Sequence, residues 1–481
     1  MSELDNKGWN VFILFQYYKN ENSAIYDLFV NEIESVAVNS NIDFYVLKFE
    51  EDKEISYYTL PHDFKERKLH LVKPAVSYTD IYEYPFISIK NAWTEFFDLC
   101  SDNKKRNFIA IHNHGAGLGL TPMSLDRADK AIIKNLSGLL SHGIISYEKF
   151  NYLKHNGGFV EKLGGTLDLR DDDIKLIPVA VFSKAITDAV LFKENGPVDF
   201  LCLSNCFMQC AETAYVLRNV GKYLVASEGV SISGGVNYPN LFDAFSKNLQ
   251  NNELAINICK HFDERFDNDI YRTYKTKDSN SIYDIRSYID LSILDLSKCD
   301  QFKTLISDLG QELVKLSNNE ALFLLLGNIR LDETICQEVY NNNPTGIIDI
   351  CNYLYELAIL EKFDPEIKKS FYHFINFVKH ELVAASHFST RAYLRGNSFG
   401  ICPSGISIFF PMNKNFNSQN EIAEFSINNF YIKKENLSEF LDNNHWRDFV
   451  IKFYRSDLFQ PKKQSPIAKA FLSLKRMFTQ E

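Results

Sequence analysis

The sequence predicts an α/β fold in which a mostly parallel sheet is flanked by helices and followed by a helical C-terminal region. Three observations lead to this class. Apolar runs of strand length alternate with amphipathic helical segments through the first half of the chain. Long helical patterns dominate beyond residue 240. The chain has 481 residues, and because a single core rarely grows beyond about 250–300 residues, a second region is expected.

The first elements follow this alternation in order. The run WNVFILFQYY (9–18) is apolar and aromatic, which is typical of a buried strand. Apolar side chains recur at helical spacing over 22–38, and strand character returns at 42–49. A helix over 88–100 then leads to a strand over 107–112. Strands separated by helices in this way favour parallel pairing.

The middle of the chain is less regular. A polar, glycine-bearing stretch at 156–173 predicts an exposed loop. A short strand is predicted over 177–183 and a helix over 184–194. A buried strand follows over 196–204, and then a helix over 207–219.

The remaining patterns are mainly helical. A strand over 223–227 precedes them, and one late strand, GISIFFP, lies at 405–411. The helical patterns cover 241–265, 300–316, 345–361, 364–386 and 435–453. We therefore expect three parts: an α/β core over 1–250 that includes the strands ending near 112 and 204, a mainly helical region over 251–460 that returns the late strand, and a linker with a short, basic, amphipathic tail over 461–481.

Composition excludes several classes of function. The net charge of −10 offers no basic surface for a nucleic acid. The N-terminal residues do not show the basic start and following apolar run of a signal peptide, so none is expected. No apolar run reaches the roughly 18–20 residues of a membrane span. Nine cysteines without regular spacing favour reduced thiols and a cytoplasmic location.

Two predicted strand ends carry residues that are suited to catalysis. The first is IAIHNHGAG (109–117), which contains His114, and the second is FLCLSNCFMQ (200–209), which contains Cys206. Side chains at the carboxyl ends of neighbouring parallel strands converge on one crevice. A histidine and a cysteine that are far apart in sequence are therefore expected to meet there.

This pair suits nucleophilic catalysis. A free thiol has a pKa of about 8.5, and a nearby imidazole increases the thiolate fraction. Cys206 also precedes the helix predicted over 207–219, whose N-terminal dipole would favour a negative sulfur. The backbone N–H groups of Gly115 and Cys206 are the candidates for an oxyanion hole. The alternative is that Cys206 is a small buried hydrophobe.

Other patterns at these strand ends do not support a zinc site or a dinucleotide-binding site. Cys202, Cys206 and Cys210 recur every four residues, which does not fit a zinc site. The glycines in GAGLGL (115–120) do not have dinucleotide-binding spacing. The sequence indicates no cofactor and gives no support for a calcium requirement.

The two segments together resemble a known family. HNHGAG (112–117) and SNCFMQCAETAYVLRNVGKYLVASEG (204–229) are similar to the clostripain family of cysteine proteases, relatives of caspases, gingipains and legumain. The matching positions are His114–Gly115, Cys206, Glu212, Tyr223 and Ala226–Ser227–Glu228. Further similar segments occur at 287–309, 346–354 and 405–411, so the resemblance spans about residues 9–454. It implies a caspase-like fold and a cysteine endopeptidase that cleaves polypeptides through a Cys–His dyad and an acyl-enzyme.

The resemblance also implies a substrate pocket, and here the sequence departs from the family. The residues implied are Ser204, Asn205, Ser227, Glu228 and Gly235. Ser204 stands where the family usually has an aspartate that pairs with Arg or Lys, and a hydroxyl does not neutralise a buried cation. Asn113 and Val236 replace the usual Asp and Trp. Strict cleavage after Arg or Lys is therefore not expected, although Glu228 is an alternative source of charge.

The sequence leaves open how the protein is regulated and to which functional class it belongs. Family members are often cut between the two strands, and 156–173 is the matching segment, with Lys162 and Arg170. A catalytically silent, caspase-like binding module that recruits a protein partner through its C-terminal half or tail is one alternative. A bacterial defence protease activated within an assembly is another. The amphipathic tail either packs on the core or binds a partner or membrane surface.

Overall fold

The structure is a computed structural model, and it describes sixteen stretches of the chain. These are residues 8–15, 23–36, 41–49, 54–61, 68–77, 85–100, 104–112, 115–120, 177–229, 238–247, 249–261, 289–331, 346–389, 403–415, 421–434 and 436–459.

A nine-stranded mixed sheet forms the centre of the fold. Its strands, in sheet order, are β12 (Val383–Ser389), β10 (Ile289–Asp295), β9 (Gly221–Ala226), β8 (Val198–Ser204), β5 (Arg106–His112), β1 (Trp9–Phe15), β2 (Ile42–Phe49), β3 (Glu54–Leu60) and β4 (His70–Ser77). The five strands from β9 to β2 are mutually parallel, whereas the pairs at both ends are antiparallel. The predicted mostly parallel α/β sheet is confirmed.

Two small sheets lie beside the large one. Strand β6 (Gly119–Leu120) pairs with β7 (Ile177–Pro178), and β11 (Ile347–Asp349) pairs with β13 (Ser407–Phe409). Ser407 also forms a bridge to Cys210, so β13 approaches the segment that follows β8. These pairings bring the late strand of the chain to the carboxyl end of the large sheet.

Helices cover both faces of the sheet and make up most of the C-terminal region. They are α1 (Ser23–Val36), α2 (Pro85–Phe97), α3 (Val179–Asp188), α4 (Val190–Asn195), α5 (Ala211–Leu217), α6 (Tyr238–Ser246), α7 (Asn251–Lys260), α8 (Cys299–Leu316), α9 (Glu320–Leu331), α10 (Ile350–Ala358), α11 (Pro365–Phe377), α12 (Glu421–Ser426), α13 (Ser438–Leu441) and α14 (His445–Arg455). A 3₁₀ turn spans Leu296–Lys298, and π-helical turns span Val378–Leu382 and Ile427–Ile432.

Alternation along the central strands divides the core into two layers. In β5, Phe108 and Ala110 face one layer and Ile109 and Ile111 face the other. Because both faces of the sheet are buried, the central strands are apolar throughout, as parallel strands usually are. The smaller layer lies under α1, α6 and α7, and the larger one extends into the C-terminal helices.

Several predicted boundaries are wrong, and tertiary pairing explains them. The strand over 177–183 ends at Pro178, where α3 begins. The helix over 364–386 stops at Phe377 and passes through the π-helical turn into β12. Since β12 pairs along its length with β10, sheet formation overrides the local helical pattern. The division at residue 250 stays a prediction, although β10 and β12 enter the sheet from beyond it.

Gly310 allows α8 and α14 to pack closely. A Cβ atom at Gly310 would lie 2.1 Å from the backbone nitrogen of Trp446 and 2.3 Å from the carbonyl carbon of His445. Both contacts are to backbone, which cannot rotate away as a side chain can. Trp446 is itself fully buried. The helix crossing therefore requires glycine.

Replacing Gly310 by alanine is expected to lower the free energy of unfolding by about 2 kcal/mol or more, because the added methyl forces the helices apart. Urea denaturation followed by circular dichroism measures this. Alanine is a better helix former than glycine by roughly 1 kcal/mol. At a site with room for the methyl group, the substitution would therefore raise the free energy of unfolding. A stabilised Gly310→Ala variant would contradict the close crossing.

Candidate active site

The two strand ends singled out in the sequence lie side by side. Strands β5 and β8 are parallel neighbours, and His112 pairs in register with Ser204. The chain therefore leaves both strands at the same edge of the sheet. This is the edge at which ligands bind in open parallel sheets.

Gly115 and Cys206 are in close backbone contact at this edge. A Cβ atom at Gly115 would lie 2.6 Å from the carbonyl oxygen of Cys206 and 2.8 Å from Cβ of Asn205. It would also lie 2.8 Å from Sδ of Met208. Only glycine fits this approach, so the residue type at 115 follows from its contact with the cysteine segment.

The loop after Gly115 is fixed on both sides. The N–H of Ala116 donates to the carbonyl of Gly119 at 3.0 Å, and the Thr213 hydroxyl in α5 donates to the carbonyl of Gly117 at 2.5 Å. Gly117 has φ +78°, a conformation that favours glycine. Among the backbone hydrogen bonds between described residues, none uses the N–H of Gly115.

The segment that contains Cys206 is a tight turn rather than the start of a helix. Phe207 has φ +62°, which is rare for a residue with a side chain. Its N–H donates to the carbonyl of Gly229 at 2.7 Å, and the N–H of Gln209 donates to the carbonyl of Ser227 at 3.0 Å. We call residues 205–209 the Cys206 turn and residues 227–229 the β9 loop.

The helix predicted over 207–219 is therefore wrong at its start. Helix α5 begins at Ala211, with Cys210 as its N-cap. Cys206 lies four residues before that cap, beyond the first turn over which a helix dipole acts. Thiolate stabilisation by this helix is consequently not a feature of the site.

The three cysteines in this region differ sharply in environment. Cys202 and Cys210 are buried, whereas Cys206 is only partly buried. Burial raises the pKa of the Cys202 thiol to about 12, and burial together with the nearby Glu212 carboxylate raises the pKa of Cys210 well above its usual value. Neither buried thiol is suited to act as a nucleophile near neutral pH. Of the three, Cys206 alone has access to solvent.

Ser204 and Asn205 are buried beside Cys206. The Ser204 hydroxyl lies 3.5 Å from Sγ of Cys202, where either atom can donate. Asn205 is fully buried, and among the described residues neither its amide nitrogen nor its amide oxygen has a hydrogen-bond partner. An unpaired buried amide costs on the order of 1–3 kcal/mol, so its retention calls for an explanation outside stability.

Ser227 and Glu228 are buried in the β9 loop and contact the C-terminal region. The Ser227 hydroxyl donates to Asp290 in β10 at 2.7 Å. The Glu228 carboxylate accepts a hydrogen bond from the N–H of Gly405. Glu228 therefore holds backbone within the protein, which argues against a freely presented pocket charge.

Glu212 has a structural role. Its carboxylate is fully buried and accepts hydrogen bonds from Sγ of Cys210 at 2.7 Å, from the N–H of Phe409 at 3.2 Å and from the Tyr431 hydroxyl. Burial raises the pKa of this carboxyl. Glu212 thus connects α5 to strand β13 and to the Ile427–Ile432 turn.

Several predicted site positions lie outside the described residues. These are His114, Gly235, Asn113, Val236, the segment 156–173 and the tail 461–481. The neighbouring His112 is described, and its Nε2 lies 2.6 Å from the Tyr238 hydroxyl within an aromatic cluster. His112 is fully buried, as a core histidine would be.

Sequence patterns missed the supporting residues from β10. Asp290 accepts hydrogen bonds from the β9 loop, and Ser292 accepts one from Nε2 of Gln209 at 2.8 Å. Both residues lie in a strand that the pattern did not predict. A strand prediction at 289–295 would have placed them on one face, two residues apart, but not against this loop.

The described residues contain no group of three or more His, Cys, Asp or Glu side chains that could hold a metal ion. Within the same ranges, no helix is both long and apolar enough to cross a membrane. No disulfide joins any two of the seven described cysteines.

Comparison with known proteins gives consistent results. The clostripain family model matches residues 178–453, more than half of the chain. The structure is similar to the secreted C11 cysteine protease "iotapain" from Bacteroides thetaiotaomicron, with a TM-score of 0.52, 14% identity, and coverage of 91% of this chain and 99% of that one. A secreted C11 cysteine protease from the same species in complex with an irreversible peptide inhibitor gives the same TM-score, identity and coverage.

An inactive zymogen C11 protease from Parabacteroides distasonis is also similar, with a TM-score of 0.50, 12% identity, and coverage of 91% and 99%. At these identities the structural matches establish the fold alone. No curated protein matches the chain in sequence.

Proposed function

The chain belongs to the clostripain family and is a cysteine peptidase, and from this premise we propose that it is an endopeptidase with Cys206 as nucleophile and His114 as base. The observation that carries the proposal is the backbone contact between Gly115 and Cys206. His114 is covalently joined to Gly115, and consecutive Cα atoms are about 3.8 Å apart. The base is thereby tied to the cysteine segment.

The proposed reaction follows from these groups. His114 takes the proton of the Cys206 thiol, and the thiolate attacks the carbonyl carbon of the scissile peptide. The N–H groups of Gly115 and Cys206 stabilise the oxyanion. His114 then protonates the leaving amine as the C–N bond breaks, which leaves a thioester on Cys206. Water attacks the thioester, and the thiol is restored.

We also propose that the pocket does not require Arg or Lys before the scissile bond. Ser204 carries no charge, and the Glu228 carboxylate already accepts the N–H of Gly405 while fully buried. A cation brought into such a pocket would lack a dedicated counter-charge. Asn205, Ser227 and Gly235 complete the proposed pocket.

A peptide-library cleavage profile tests both proposals together. We expect cleavage with a preference other than a strict basic residue before the scissile bond. A profile confined to Arg or Lys contradicts the proposed pocket, and it would leave the nucleophile in place. Absence of cleavage together with absence of Cys206 labelling by a peptide acyloxymethyl ketone favours the silent binding module. A protein that is inactive alone and cleaves peptides once a partner is added favours the assembly-activated protease.

The Asn205→Leu variant distinguishes a functional role of the Asn205 side-chain amide from a structural role. Leucine has a similar shape and removes a buried amide without partners, so the free energy of unfolding is expected to stay the same or rise by about 1 kcal/mol. Cleavage is expected to fall at least tenfold, since the amide borders the nucleophile. Urea denaturation and peptide cleavage on the same preparation measure the two effects.

Asn413→Leu is the matched control, because Asn413 is equally buried but donates to the carbonyls of Phe453, Tyr454 and Ser456. This variant is expected to lose roughly 2–3 kcal/mol of stability through the orphaned carbonyls. If Asn205→Leu is as destabilising as Asn413→Leu, the amide of Asn205 has a structural partner and the interpretation is wrong.

A further inference from the structure

The Cys206 turn is held in place by the β9 loop. The carbonyl of Gly229 accepts from the N–H of Phe207, and the carbonyl of Ser227 accepts from the N–H of Gln209, so the loop holds the two residues after Cys206 at both ends. Any displacement of the β9 loop would move both carbonyls. The orientation of Cys206 therefore depends on where this loop sits.

The backbone at Phe207 shows that such support is needed. A non-glycine residue at φ +62° is held in a sparsely populated conformation, and this persists only where the surroundings impose it. The aromatic side chain is buried, which fixes the residue from its other side. The strain lies directly beside the proposed nucleophile.

Asp290 organises the β9 loop from the next strand. Its Oδ1 accepts from the Ser227 hydroxyl at 2.7 Å and from the N–H of Gly229 at 3.2 Å, and its Oδ2 accepts from the N–H of Glu228 at 2.7 Å. Each of the three loop residues supplies one donor. The carboxylate is almost entirely buried, so water does not offer these donors a ready alternative.

Strand β10 contacts the Cys206 turn directly through Ser292. Its hydroxyl accepts from Nε2 of Gln209 at 2.8 Å and donates to the carbonyl of Gly405 at 2.8 Å. Ser292 and Asp290 are two residues apart in one strand and so lie on the same face. The same face of β10 therefore contacts both the loop and the turn.

We propose that Asp290 is a positioning residue that sets the orientation of Cys206 through the β9 loop. The inference rests on the proposed function, in which Cys206 is the nucleophile. In this proposal Asp290 acts through its hydrogen bonds to the β9 loop. It fixes the three donors of the loop, the loop carbonyls fix Phe207 and Gln209, and the turn presents the thiol. A shift of about 1 Å at a reacting atom can cost a hundredfold in rate.

Asp290→Asn tests this because no orientation of the amide accepts all three donors. Its NH₂ group faces either the N–H of Glu228 or the N–H of Gly229. We expect kcat/KM for peptide cleavage to fall roughly ten- to a hundredfold. Alkylation of Cys206 by iodoacetamide, followed by mass spectrometry of its peptide, is expected to slow by a similar factor and to reach half its maximal rate at higher pH.

Asp199→Asn is the matched control. Asp199 is a buried carboxylate that accepts from the N–H of Asn107 at 2.9 Å and from Nζ of Lys222 at 2.8 Å, at the opposite end of β8 from Ser204. Its loss is expected to lower stability but to leave the alkylation profile of Cys206 unchanged. A purely structural role for Asp290 would make the two variants behave alike.

Wild-type alkylation of Cys206 in a folded Asp290→Asn protein overturns the proposal. If Asp290→Asn shows no cooperative unfolding transition, the Ser227→Ala variant becomes the deciding test. It removes one of the three donors to Asp290 and leaves the two backbone hydrogen bonds in place. Slower alkylation there supports the proposal, and an unchanged profile overturns it. Cleavage that survives in Cys206→Ala contradicts the proposed function instead, so the two failures are distinguishable.

Discussion

Replacing Cys206 by alanine is expected to abolish peptide cleavage, with a loss of at least about a thousandfold, because no other group in the proposed mechanism forms the acyl-enzyme. Labelling at this residue by a peptide acyloxymethyl ketone is expected to disappear as well. The unfolding transition should change little, since Cys206 is only partly buried. Cleavage assays and intact-mass spectrometry before and after labelling measure the two effects.

Cys259→Ala is the control for a nonspecific effect of losing a thiol. Cys259 lies in α7, and burial raises its pKa to about 12. This variant is expected to keep both cleavage and labelling at Cys206. If Cys206→Ala keeps wild-type cleavage, or if the label is found on another cysteine, the assignment of the nucleophile is wrong.

Replacing Glu212 by alanine is expected to lower the free energy of unfolding by about 3–5 kcal/mol. The substitution leaves the N–H of Phe409, the Tyr431 hydroxyl and the Cys210 thiol without their common acceptor in a fully buried site. It also opens a cavity between α5 and β13. Urea denaturation monitored by tryptophan fluorescence measures the loss, and Trp446 reports on the C-terminal helices.

Glu212→Gln is the conservative comparison. Its amide oxygen still accepts from Phe409 and Tyr431, and its NH₂ group donates to the sulfur of Cys210. Because burial raises the pKa of Glu212, a neutral side chain is a reasonable substitute. We expect most of the stability to be retained. Equal losses in both variants would show that the hydrogen bonds of the carboxylate are not what holds these elements together.

The centre of the fold was accessible from sequence because it depends on local patterns. Strands β1, β2, β5 and β8 are apolar runs of strand length, and the helices between them have one apolar face. The edges were less accessible. Strand β12 follows α11 without an obvious break, and what makes it a strand is its pairing with β10, a partner far away in the chain. No local propensity contains that information.

The same distinction applies to the site. The sequence singled out Cys206 and Gly115 because they follow predicted strand ends, and the structure brings their two segments into contact. The false helix start at 207 arose because residues 206–210 have no local breaker, while distant carbonyls in the β9 loop hold them out of a helix. Asp290 was missed for a related reason, since its importance lies entirely in which distant backbone it touches.

The position of β10 has a consequence for how the chain folds during synthesis. Strand β9 is complete long before the ribosome reaches residue 289, and until then one side of β9 has no antiparallel neighbour. An unpaired strand edge is a template for pairing with other chains. A nascent chain halted before β10 is therefore expected to aggregate or to require a chaperone, and under the proposed role of Asp290 it is expected to lack catalytic activity until β10 has docked.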